Sequence, residues 1–137
     1  MKIELPGMRE QIRRVYEIGI KEGIAQLEAN LEAPKLEPLT SINENDYSRN
    51  HLLRENEGWE PPEPQIVRAY LEQLQKAFRE EFGTDKKLAH FLGLSGDRRI
   101  REFKQGERKV PYGVWRKLLV TTGRVPQEIY PVIGFMS

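Results

Sequence analysis

The chain is 137 residues long and carries 22 Lys and Arg against 21 Asp and Glu, a net charge of +1. It holds no cysteine, so disulfides and thiolate metal centres are excluded. No apolar run is long enough to span a membrane, and Met1–Gly7 lacks the apolar core of a secretory signal, so a cytoplasmic protein is expected.

Residues 1–33 read as an N-terminal amphipathic helix. Met8, Ile12, Val15, Tyr16, Ile20, Ile24, Leu27 and Leu31 recur at three- and four-residue steps along one stripe. Gly19 and Gly23 fall beside that stripe and weaken the helix by roughly 1 kcal/mol each relative to alanine. A close helix–helix contact would compensate, which makes this helix a candidate dimer contact. Pro34 ends the pattern.

Residues 34–63 read as an irregular connector. They hold Pro34, Pro38, Pro61 and Pro62, with Asn43, Asn45, Asp46, Ser48 and Asn50 between them, and room for one short helix near Tyr47–Leu53. A loop of this length is uncommon inside a compact domain and suggests a boundary. Trp59 is expected to pin the connector onto the C-terminal bundle.

Residues 64–137 read as a helical domain. Pro64 suits a first helical turn, and Ile66, Val67, Tyr70, Leu71, Leu74, Phe78 and Phe82 form an inner stripe up to Gly83. Thr84 or Asp85 can cap the next helix, whose apolar face is Leu88, Phe91 and Leu92, with the small Ala89 allowing close approach. Gly93 stands where the backbone turns, and Leu94 plugs the corner. Ser95 and Asp97 are candidate caps for a further helix with Ile100 and Phe103 inside, ended by Gly106. A last helix runs from Pro111 to Thr122 with Val114, Trp115, Leu118 and Leu119 inward, closed by Gly123. The tail holds Ile129, Tyr130, Val132, Ile133 and Phe135, too apolar to be left in water; it is expected to pack on the bundle or on a second copy.

The charge is unevenly spread. Residues 1–61 hold 8 basic and 12 acidic residues, and residues 62–137 hold 14 and 9. The block 86–109 alone holds 8 basic against 3 acidic, so a local phosphate-attracting surface is possible despite the near-neutral total.

Ala89, Gly93 and Leu94 reproduce the small residue, glycine and apolar residue of a helix-turn-helix, and the run resembles the lambda-repressor/Cro-like (XRE-type) family of phage and mobile-element regulators. Arg108-Lys109-Val110-Pro111-Tyr112, leading to Trp115, is similar to the continuation in such proteins. The resemblance covers about 64–124. It departs from the family pattern in one respect: Ile100 comes one place late, as if Gly96 were an extra residue in the turn. The resemblance implies a small helical bundle whose second motif helix, about 97–105, lies in the major groove of double-stranded DNA.

The residue chemistry agrees. Arg98, Arg99, Arg101 and Gln105 must occupy outer faces and have the donors to read guanine and adenine edges. Lys86, Lys87, Ser95, Lys104, Arg108 and Lys109 are placed for phosphates. Catalytic and metal chemistry find no support: His51 and His90 lie in no ligand spacing, Glu80 and Glu81 point to different faces, and no cofactor motif is present. The expectation is therefore an all-α protein, with an N-terminal helix, a connector and a four- to five-helix bundle, acting as a homodimeric DNA-binding regulator and not an enzyme. Two rivals stand: a protein-interaction adaptor or antitoxin working through the N-terminal helix, and an RNA-binding protein, for which Gly93-Leu94-Ser95-Gly96 matches only the bare GxxG of KH domains.

Overall fold

Six α-helices form among residues 7–136, the residues described by this computed structural model. They are α1 (Met8–Asn30), α2 (Pro64–Ala77), α3 (Arg79–Phe82), α4 (Asp85–Phe91), α5 (Asp97–Gln105) and α6 (Tyr112–Thr121). No strand occurs among the described residues, so the fold is all-α. Residues 1–6, most of the stretch read for a secretory signal, lie outside the described residues, as does Ser137. The chain divides into two compact units, Leu36–Glu128 and a smaller one made of α1 and the tail from Ile129.

In the larger unit the core is built by α2, α4, α5 and α6. Ile66, Val67, Tyr70 and Leu71 from α2 meet Leu88 and Ala89 from α4, Ile100 and Phe103 from α5, and Trp115, Leu118 and Leu119 from α6. Burying each large apolar side chain contributes about 1.5–3 kcal/mol, so the three- and four-residue spacing of these positions decides which face of each helix turns inward.

The stripe expected to run unbroken over 64–82 is interrupted at Phe78, whose φ of −129° and ψ of 67° leave the helical region. The break lets Phe82 tilt onto Phe91, with ring centroids 4.7 Å apart, while Phe78 meets Phe82 edge-on.

The segment expected to be a connector is part of the larger unit. It forms three single-turn 3-10 helices, at Glu44–Asp46, Asn50–Leu52 and Glu55–Glu57, in place of the one short helix expected. Its anchor is His51, only 4% exposed. The Trp115 Nε1–H donates to His51 Nδ1 at 3.1 Å, and the Trp59 Nε1–H donates to the His51 carbonyl at 3.1 Å. The His51 ring sits edge-on to both Tyr70 and Trp115, which stack on each other at 5.5 Å. Burial first, then the nearby Arg49 charge, lowers the His51 pKa from 6.5 to about 4, against an opposing pull from Glu44. Tyr70 donates its hydroxyl proton to Glu44, and burial followed by that bond pushes the phenol up to about 12. Trp59 pins the segment as expected, and also meets Tyr112 edge-on at 5.2 Å.

Arg116 is the second tie. It is 5% exposed, donates to the carbonyls of Leu52 and Pro126 at 3.3 Å each, and pairs with Glu128 at 2.9 Å.

In the smaller unit α1 buries none of its side chains. Phe135 of the tail packs on Tyr16 with centroids 4.8 Å apart, and the Arg13 guanidinium lies over both rings. The tail, expected on the bundle or on a second copy, thus finds its contact on α1.

Candidate nucleic-acid interface

The α4–turn–α5 segment obeys a few local rules. The Thr84 side chain accepts from the Lys87 backbone N–H at 3.2 Å, capping α4. At the other end of α4 the Lys117 ammonium from α6 donates to the Phe91 carbonyl at 2.6 Å, a cation where the helix dipole favours one. Gly93 turns the chain at φ +76°, a left-handed conformation that glycine adopts without strain, and the Leu94 N–H returns to the Ala89 carbonyl at 2.8 Å.

The residue before α5 is Gly96, with φ −173° and ψ 174°. No side chain caps this helix, so neither Ser95 nor Asp97 plays the role expected of it. Asp97 instead pairs with Arg101 four residues on at 2.9 Å. With α5 starting at Asp97, Gly96 lies in the turn and not in the helix. Gly106 ends α5 at φ +78°, and a Cβ there would meet Pro64 Cγ at 2.7 Å, so both backbone and space demand glycine.

Ile100 and Phe103 are buried and fix the rotation of α5, which leaves Arg98, Arg99, Arg101 and Gln105 exposed. Arg98 pairs with Glu102 at 2.9 Å, and Arg108 reaches the same carboxylate at 2.9 Å. The hydrogen bond from Arg108 comes first in holding the Glu102 pKa below the usual carboxylate range, with burial opposing it and the charges of Arg108, Arg98 and Arg99 adding. Ion pairs to arginines as open to water as these contribute little, so a phosphate or base edge can compete for them. Lys86, Lys87, Ser95, Arg108 and Lys109 are also exposed, and Lys87 donates to the Glu80 carbonyl at 2.7 Å.

Lys104 departs from the expected phosphate role. Its ammonium points into the bundle, donating to Gln75 Oε1 at 2.7 Å and pairing with Asp85 at 3.0 Å, and its side chain is only 16% exposed. Asp85 also accepts from Gln75 at 3.0 Å. Burial pushes the Asp85 carboxyl up, but the bonds from Gln75 and Lys104, with the Lys104 charge, outweigh it and hold the pKa down. The cause is position: Lys104 comes just after Phe103 on the inner edge of α5, facing α2 and the start of α4. Arg68 of α2, which no sequence pattern singles out, donates to the Lys104 carbonyl at 3.1 Å near the end of the same helix. These partners lie 19 to 36 residues away in the chain, so no local spacing could have signalled them.

No group of three or more His, Cys, Asp or Glu that could hold a metal ion occurs among the described residues. No protein-family model, curated protein or solved structure matches this chain.

Proposed function

We propose that the chain is a sequence-specific double-stranded DNA-binding protein, a transcriptional regulator that inserts α5 into the major groove. One observation carries the reading: Arg98, Arg99 and Arg101 project outward from a helix whose opposite side is locked in the core by Ile100 and Phe103. The nine residues of α5 make a rod about 14 Å long and, with side chains, about 10–12 Å across, a diameter that fits a major groove about 12 Å wide. Arginine forks at its N-terminal half can bond guanine edges in bidentate fashion. Lys86, Lys87, Arg108 and Lys109 flank α5 in sequence and supply phosphate contacts that set register without specifying bases. Bound at a promoter, the protein would occlude or recruit the transcription machinery, and as a dimer it would read two half-sites about 34 Å apart.

Selection of the full chain against a random duplex pool tests this directly. An enriched motif, bound in excess random DNA and weakened steeply by salt, supports the reading. A pool that stays random, or tighter binding to single-stranded RNA, refutes it.

A further inference from the structure

We propose that α1 is a self-association helix, pairing with α1 of a second copy in antiparallel fashion about a two-fold axis at Gly19 and Gly23. This goes beyond the DNA-binding reading and does not depend on it.

Two adjacent rows of four-residue spacing run along α1. One is a ridge of large side chains: Met8, Ile12, Tyr16, Ile20 and Ile24. The other is Val15, Gly19, Gly23, Leu27 and Leu31, whose middle is a notch. Nothing lies within 4 Å of where a Cβ on either glycine would stand, so the notch is open. The apolar side chains of both rows are exposed, from 38% at Leu27 to 83% at Leu31, apart from Tyr16, which Phe135 partly covers. An exposed stripe of this length along a 23-residue helix is a surface that calls for a partner. Ridges and grooves formed by four-residue rows interlock when two such helices cross at about 50°, and small residues at the crossing allow the closest approach.

Charge selects the occupant and its direction. The half before Gly19 carries Arg9, Arg13 and Arg14 against Glu10 and Glu17. The half after it, through Glu32, carries Lys21 against Glu22, Glu28 and Glu32. The helix is therefore complementary to itself end for end. In the antiparallel pair Arg13, on the flank of the stripe, lies toward Glu28 of the second copy, while Arg14 falls on the far side of the helix. A parallel pair in register would set Arg13 against its own equivalent, and Glu28 against its own. A two-fold interface must be self-complementary, and only the antiparallel pairing satisfies that here.

Sedimentation equilibrium of the full chain, without DNA, tests the proposal. The wild type is expected to be a dimer. Gly19→Gln with Gly23→Gln should raise the dimer dissociation constant about tenfold or more, because the longer side chains fill the notch. Glutamine is the better helix former, so circular dichroism should show no loss of helix in that variant, which separates a blocked contact from an unfolded one. Arg13→Glu should also weaken the dimer, and adding Glu28→Arg to the same chain should restore it, whereas a loss due only to breaking the Arg13–Glu17 pair at 3.1 Å would not be restored. A parallel pair would be indifferent to either change. A monomeric wild type, as expected if α1 serves a different protein, would overturn the proposal. So would a dimer indifferent to the glycine replacements, or a charge reversal without effect. Failure of DNA binding in a chain that still dimerises would leave this inference standing and remove the other.

Discussion

Acidification should destabilise the larger unit through one residue, His51. Its Nδ1 accepts the Trp115 indole N–H, which requires that nitrogen to be unprotonated. The folded ring therefore resists a proton down to a pH of about 4, whereas the unfolded ring takes one near 6.5. Between those values the unfolded state binds more protons, so stability falls as pH falls, and the loss levels off below the folded value. A full proton difference costs about 1.4 kcal/mol per pH step. From pH 6.5 to pH 5, allowing for solvent reaching part of the ring, about 1–2 kcal/mol should be lost. Urea unfolding at several pH values measures this, monitored by the fluorescence of Trp59 and Trp115, both of which bond to His51. The His51→Gln variant retains an acceptor for the indole but cannot titrate, so its stability should be nearly flat over that range. Asp85 loses its stabilising pair only as pH falls below its ordinary 3.8, outside the window. A wild type as flat as His51→Gln, or a variant as steep as the wild type, would refute the reasoning.

Lys104→Met should cost about 1–2 kcal/mol in thermal or urea unfolding, since it leaves Asp85 half-buried without its cation; the salt dependence of DNA binding should not change, because this ammonium faces inward. Arg99→Ala should do the opposite, leaving the melting temperature in place while weakening specific DNA binding by about 1–3 kcal/mol, measured by titration against the selected site. Gly106→Ala should destabilise by about 2 kcal/mol or more from the left-handed backbone and the approach to Pro64, read as a lowered urea midpoint; an unchanged midpoint would show that the turn can rearrange.

Helix positions were legible because local rules set them. The periodic apolar residues of α2, α5 and α6 are the buried ones, save Val114, which is half-buried, and Gly93, Gly106 and Gly123 adopt the positive φ that their places after helices suggested. The exposure of Arg98, Arg99 and Arg101 came from Ile100 and Phe103 needing the other side. What stayed hidden was set by partners distant in the chain. His51 sits in a stretch rich in Asn and Pro, and its burial depends on Trp115, 64 residues later. Lys104 reads as one more surface cation until Gln75 and Asp85 are brought beside it. Phe78 fits the stripe of α2, yet its backbone leaves the helical region, and Phe82 beyond it packs on Phe91, nine residues further on.

The reach of Arg116 and Trp115 bears on how the bundle could be cut down for laboratory use. A fragment trimmed to 64–121 keeps α2 to α6, but it strips the indole of its imidazole and the guanidinium of two carbonyls and a carboxylate. Removing the flanking segments gives these donors to water and also uncovers core apolar surface that Tyr47, Leu52, Trp59 and Val125 otherwise pack against. The shortest excised piece that keeps these acceptors, together with the Glu44 that takes the Tyr70 proton, runs from 44 to 128. Shorter pieces should go to aggregates or inclusion bodies, however intact their helix-forming stretches.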